Sequence, residues 1–150
     1  MKSAEIVLDP ELAAKFILQI GHCGWLGMTY SAHGEDWAEL EIPWREDLLG
    51  DEERQVMATG PIISLLDMAS GLAIWTKRKA FVPVATLDLR VDYLRPSRAH
   101  MPVRGRVTCY RDTRSAAFVR GVAYDEDVDD PVATMAGVFM NVGMGGKNGG

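Results

Sequence analysis

The chain has 150 residues, 47% of them hydrophobic, and a formal net charge of −5 at pH 7. This length and apolar content suit one globular domain with a full core, and two domains would be crowded. The negative charge argues against a nucleic-acid partner, because phosphate contacts need a large basic surface.

The sequence contains no signal for a membrane. No apolar run approaches the ~20 residues that a spanning helix needs. Several acidic residues lie within residues 1–20, where a signal peptide would be basic and then apolar. A cytoplasmic protein is therefore expected. Cys23 and Cys109 are far apart in the sequence, which predicts neither a zinc site nor a redox pair.

The first part of the chain predicts a short helix and two strands. Residues 10–20 place apolar side chains on one helical face and follow Asp9, a good N-cap residue. One strand is expected around Leu26 to Ala32, and a second from Trp37 to Ile42, where polar and apolar residues alternate. Residues 43–55 then form a charged loop.

The segment from Ala58 to Lys79 predicts one long buried helix. Pro61 suits its first turn, basic residues suit the free carbonyls at its end, and apolar residues occur on all its sides. Asp67 is the ionisable residue in its interior. Because burial penalises a charged carboxylate, such a group needs a partner or a chemical use. A solvated Asp on the helix surface is the simpler alternative.

Four long strands follow, joined by short reversals: Val84 to Leu94, Met101 to Tyr110, Ser115 to Tyr124 and Val132 to Val142. Simple alternation in the first strand places Leu87 in an apolar row and Thr86 on the opposite, charged face. Short connections predict an antiparallel sheet, which must wrap the long helix. The expected fold class is α+β, with one domain over residues 1–142 and a flexible Gly-rich tail over residues 143–150.

Two stretches of the sequence resemble a known family. The helix segment LLDMASG and the run TLDLRVDYLRP, residues 86–96, resemble the hotdog-fold acyl-CoA thioesterases of the phenylacetic-acid-degradation, or PaaI-like, branch. The similarity covers about residues 10–142. It implies a sheet wrapped around the central helix and an enzyme that hydrolyses acyl-CoA to a free acid and coenzyme A. Neither a metal nor a separate cofactor is expected, since coenzyme A is part of the substrate.

The resemblance also implies which residues carry the chemistry. Asp67 matches the family's general base or nucleophile, and Thr86 matches a hydroxyl residue that orients water. The family opens its helix with His-Gly-Gly, where this chain has Ala58, Thr59 and Gly60. The amides of Thr59 and Gly60 lie at the positive end of the helix and suit a developing oxyanion without a histidine.

The spacing along the helix bears on the oligomeric state. Asp67 lies roughly 10 Å along the helix from the amides of Thr59 and Gly60, so one chain cannot place both on one carbonyl. A homodimer or a dimer of dimers is therefore expected. The remaining side chains expected to contact the substrate are Met57, Ala58 and Ser64 near the helix start and, for the coenzyme A phosphates, Lys77, Arg95 and Arg98. Such arginines more often pair with strand carboxylates or stay solvated.

Other functions are compatible with the same residues. Because Ala58 replaces the family's histidine, the fold could bind an acyl-CoA without turning it over. A hotdog hydratase would need a histidine at the helix start, which Ala58 does not supply. His22, His33 and His100 fall in a loop and two turns of the predicted layout, which does not suggest a Ser-His-Asp hydrolase.

Overall fold

A computed structural model describes residues 7–143 of the chain. In that range the helices are α1 (Pro10–Ile17), α2 (Gly21–Leu26) and α3 (Thr59–Arg78), with a 3-10 turn at Glu46–Leu48. The strands are β1 (Thr29–His33), β2 (Trp37–Ile42), β3 (Leu49–Asp51), β4 (Val56–Met57), β5 (Val84–Tyr93), β6 (Val103–Asp112), β7 (Ala116–Tyr124) and β8 (Ala133–Asn141).

Six strands form one antiparallel sheet in the order β1-β2-β6-β7-β8-β5, and β3 pairs with β4 in a separate hairpin. The sheet packs around α3, chiefly through β2, β6 and β7. This confirms the predicted α+β class, with an antiparallel sheet wrapped around one long helix. β5 is an edge strand, so one side of its backbone has no neighbouring strand within the described part of the chain.

One side of α3 packs tightly and the other does not. Leu65 and Leu66 are fully buried, and a Cβ added to Gly105 of β6 would lie only 2.9 Å from the Leu65 side chain. The apolar composition predicted a helix that is buried on all sides. In the single chain, one side of α3 is instead exposed. Gly60 and Ile63 are exposed in the single chain. The apolar residues of that side face outward rather than toward the sheet.

The N-terminal region differs from the sequence prediction. α1 ends at Ile17, and α2 occupies residues up to Leu26, where a strand was expected to begin. Gly27 ends α2 in a left-handed conformation with a φ of 72°, which glycine adopts without strain. β1 then starts at Thr29. A six-residue helix with two glycines has too little apolar periodicity to be recognised from sequence.

β5 contains an irregularity that simple alternation did not predict. Its pairing with β8 shifts between Thr86 and Asp88, which marks a β-bulge at Leu87. The extra residue turns Thr86 to the inner face of the sheet with Leu89, instead of the outer face with Asp88. Leu87 is 64% exposed. The prediction that Leu87 belongs to the inner apolar row is wrong, and simple alternation placed Thr86 on the wrong face.

The ends of the chain lie mostly outside the described residues. β8 ends at Asn141, and the predicted flexible tail falls outside the described range except for Gly143. The division into one domain and a tail therefore stays a prediction. None of the described helices is both long enough and apolar enough to span a membrane.

Candidate active site

Among residues 7–143, no side chain caps the start of α3. Ala58 is extended, and its amide donates to the Leu48 carbonyl at 2.8 Å. The amides of Thr59 and Gly60 come next, both residues are exposed, and neither amide has a hydrogen-bond acceptor among the described residues. Two adjacent N–H groups at the positive end of a 20-residue helix are therefore available to an anion.

Asp67 lies two turns further along α3 and is half-buried toward β5. The Thr86 hydroxyl donates to Asp67 Oδ1 at 2.6 Å, and no second hydrogen bond to this carboxylate occurs among the described residues. The bulge at Leu87 makes the contact possible, because it turns Thr86 toward the helix. A short bond to a charged acceptor holds one oxygen of Asp67 and leaves the other oxygen open for water or substrate.

A second polar pair lies on the same side of α3. His22 Nε2 and Ser64 Oγ are 2.9 Å apart, and Ser64 stands one turn after Gly60 and one turn before Asp67. Sequence analysis missed His22, because it belongs to α2, the helix that was not predicted. The glycines at both ends of the GHCGWLG segment were the available signal.

A cavity of about 340 Å³ lies beside the start of α3. Gly60, Ala58, Ser64 and His22 all border it, so an imidazole lies beside the same cavity as Ala58, the position at which the resemblance led us to expect a histidine. The other residues that border it are largely apolar: Trp25, Leu26, Asp47, Leu48, Leu49 and Pro61. The volume lies within the usual range for sites that bind small molecules.

The predicted phosphate ligands Arg95 and Arg98 are ion-paired within the chain. Asp125, whose side chain is fully buried, lies 2.6 Å from Arg95 Nη2 and 3.1 Å from Arg98 Nη1. Burial alone would raise the pKa of Asp125, but hydrogen bonds from Arg95 and from the amides of Arg98 and Glu126 outweigh it and hold this pKa well below its usual range. Pairing with carboxylates, the alternative that the sequence allowed, is what the structure shows.

The other predicted contact residues lie at opposite ends of α3. Met57 is buried directly before the helix, and its amide donates to Ser97 Oγ at 3.3 Å. Lys77 lies about 25 Å along the helix from Gly60. Its ammonium group donates to the Cys109 carbonyl at 2.9 Å. The structure therefore brings Met57 close to the helix start and leaves Lys77 far from it.

β5 connects the two parts of the candidate site. Thr86 near the start of the strand contacts Asp67, while Tyr93 at its end donates to the Thr59 carbonyl at 3.2 Å. The strand therefore runs alongside the exposed side of α3, in the opposite direction. The arrangement places a carboxylate and two adjacent amides without acceptors on one side of one helix. In acyl transfer, such a carboxylate can act as a general base and such amides can stabilise an oxyanion.

Comparison with known proteins agrees with this geometry. Residues 55–132, just over half of the chain, match the family model of the Thioesterase superfamily. A medium/long-chain acyl-CoA thioesterase of Escherichia coli, YigI, is 31% identical over an alignment of 86 residues, and the match covers 49% of this chain and 56% of YigI. The match thus spans about half the length of this curated relative.

Solved structures show the same architecture. A Pseudomonas aeruginosa protein is 34% identical, with a TM-score of 0.80 over 89% of this chain and 100% of its own. A variant of the phenylacetic acid degradation protein PaaI from Thermus thermophilus is 26% identical, with a TM-score of 0.67 over 79% of this chain and 96% of its own. The family model covers α3, which carries Asp67, and β5, whose Thr86 contacts that carboxylate. The sheet also wraps the helix as it does in these solved structures. The chain therefore belongs to the thioesterase superfamily and has a PaaI-like hotdog fold.

Proposed function

We propose that this protein hydrolyses acyl-CoA thioesters to a free acid and coenzyme A. The observation that carries the proposal is the Asp67 carboxylate, held by Thr86 at 2.6 Å on the side of α3 that also presents the unoccupied amides of Thr59 and Gly60. The similarity to YigI, an acyl-CoA thioesterase, supports coenzyme A thioesters as the substrate class.

The proposed chemistry follows from the charge that develops during hydrolysis. Attack on the thioester carbonyl produces a negatively charged oxygen, to which the amides of Thr59 and Gly60 donate. Asp67 takes a proton from the attacking water, or attacks the carbonyl carbon itself and forms an anhydride that water then hydrolyses. In both routes the carbon–sulfur bond breaks, coenzyme A leaves as the thiolate, and the Thr86 hydroxyl keeps the carboxylate oriented.

The proposed site needs two protomers. Gly60 and Asp67 are about 10 Å apart along α3, whereas a reacting carbonyl must lie about 3 Å from both groups. Within residues 7–143, β5 offers an unpaired backbone edge beside the helix, and Leu87 and Ile63 expose apolar surface there. A second chain placed against this edge would bring its own α3 alongside, so that the amides of one chain face the Asp67 of the other.

A second candidate function is acyl-CoA binding without turnover. Ala58 supports it, because the family's helix-start histidine is absent and the imidazole that borders the same cavity, that of His22, is hydrogen-bonded to Ser64. The Thr86 contact favours hydrolysis instead, because a binding protein has no need for a carboxylate held at this position.

The test compares thiol release from short, medium and aryl acyl-CoAs by the wild type and by Asp67→Asn. Loss of a general base predicts a fall in kcat of about 10²–10⁴-fold with the fold intact. Asp88→Asn is the matched control, since this exposed carboxylate lies near Thr86 on the outer face of the sheet, and its turnover should equal that of the wild type.

The result separates the candidates. Equal turnover by Asp67→Asn and the wild type would exclude Asp67 as the base or nucleophile. Saturable binding of the same thioesters with no turnover by the wild type would establish the binding protein.

A further inference from the structure

Tyr93 links the end of β5 to the first peptide unit of α3. Its hydroxyl donates to the Thr59 carbonyl oxygen at 3.2 Å across 34 residues of sequence. The Thr59 carbonyl and the Gly60 N–H belong to the same planar peptide unit. A contact on the oxygen therefore sets the direction of the N–H at the other side of that plane.

The Thr59–Gly60 peptide lies in the first turn of α3, where the Thr59 carbonyl accepts the helical hydrogen bond from the Ile63 N–H and the Gly60 N–H has no partner among the described residues. No side chain in the described part of the chain caps α3, and a Cβ added to Gly60 would meet nothing within 4 Å there. The Ala58 amide anchors the preceding residue through the Leu48 carbonyl, but it does not reach the next peptide plane. Tyr93 thus adds a second hydrogen bond to the Thr59 carbonyl and restrains this peptide plane from the side of β5.

The same hydrogen bond affects the strength of the amide as a donor. Hydrogen bonds in a chain polarise one another, so an O–H donor on the carbonyl makes the N–H of that peptide a better donor. Burial raises the pKa of the Tyr93 hydroxyl, and the contact with Thr59 lowers it by less. The hydroxyl therefore keeps its proton at neutral pH and acts as the donor.

The position of Tyr93 on β5 repeats that of Thr86. After the bulge, Tyr93 follows Leu89 and Val91 in the inner row, the face to which the bulge also turns Thr86. One face of one strand thus contacts both parts of the candidate site, Asp67 through Thr86 and the oxyanion amide through Tyr93.

We infer that Tyr93 is a positioning residue that aims the Gly60 N–H at the oxyanion formed during thioester hydrolysis. The inference rests on the proposed function for the identity of the anion. It assigns Tyr93 no contact with the substrate and no proton transfer, only the orientation and polarisation of the peptide between Thr59 and Gly60.

The experiment compares the wild type with Tyr93→Phe, which removes only the hydroxyl. Kinetics should show a fall in kcat of about three- to tenfold with KM nearly unchanged. Affinity for a trifluoromethyl ketone analogue of acyl-CoA, whose hydrate mimics the oxyanion, should fall by the same factor. Affinity for an unreactive thioether analogue should not change. Tyr110→Phe is the control, because Tyr110 is an exposed tyrosine on the outer face of β6.

A spectroscopic reading separates this inference from the proposed function. In ¹⁵N-labelled protein, Tyr93→Phe should move the Gly60 amide proton resonance upfield, while Tyr110→Phe leaves it in place. This shift is expected even if the wild type shows no turnover, a result that would overturn the proposed hydrolysis but not the hydrogen bond. An unchanged Gly60 resonance, or equal losses of affinity for both analogues, would overturn the role of Tyr93.

Discussion

The hydrogen bond between Thr86 and Asp67 gives the sharpest prediction about the chemistry. Thr86→Val removes the hydroxyl while it preserves the β-branched shape of the side chain. Because the bond is 2.6 Å long and its acceptor is charged, its loss should remove about 1.5–3 kcal/mol of the free energy that orients the carboxylate. If the transition state is destabilised by this amount relative to the bound substrate, kcat should fall about 10- to 150-fold.

A double-mutant cycle tests whether Thr86 acts through Asp67. When Asp67→Asn has removed the base, Thr86 has no carboxylate left to orient, so adding Thr86→Val should cause little further loss. The four proteins are compared by thiol release at saturating acyl-CoA, and thermal unfolding confirms that each is folded. Thr86→Ser, which retains a hydroxyl, should keep most of the activity.

Thr86 does not act through Asp67 if the two substitutions have independent effects. Additive losses in the double variant would mean that Thr86 contributes through something other than Asp67, such as a direct contact with the substrate. Full activity in Thr86→Val would mean that the hydrogen bond has no part in turnover.

Two further predictions concern stability and assembly. Asp125→Asn leaves Arg95 without its buried carboxylate and should lower the free energy of unfolding in urea at pH 7 by about 3 kcal/mol. Folding lowers the pKa of Asp125, so its ion pair stabilises the wild type fully above the unfolded pKa of about 3.9. This contribution is lost as the pH falls toward the folded pKa. The difference in unfolding free energy between the two proteins should therefore shrink below about pH 4. A constant difference down to pH 3 would contradict the ion pair's role. Leu87→Lys places a charge at the exposed bulge of β5. Sedimentation should then show a shift toward monomer, and thiol release should be lost. The control Leu12→Lys, on α1, should change neither the sedimentation nor the thiol release. An active monomer would refute the two-chain site.

Local signals in the sequence predicted the elements that their own residues specify. Pro61 at the start of α3 and the basic residues at its end predicted the helix, whose observed range is Thr59–Arg78. The alternation in β6 likewise predicted a strand with one buried face. These predictions succeed because capping and periodicity act between residues a few positions apart.

Predictions of side-chain contacts failed where they depended on pairing between distant strands. The face of Thr86 depends on a bulge that exists only in the register of β5 against β8, so alternation within β5 gave the wrong side. The availability of Arg95 and Arg98 depends on Asp125, which lies 30 and 27 residues away.

The amino-acid sequence alone therefore established the central helix, the α+β class and the resemblance that singled out Asp67. It did not contain, in any local pattern, the bond from Thr86 to Asp67, the contact between His22 and Ser64 across 42 residues, or the link from Tyr93 to the helix start. The physical reason is that propensities act over a few neighbouring residues. Side-chain contacts form only after the register of a six-stranded sheet has placed distant residues together.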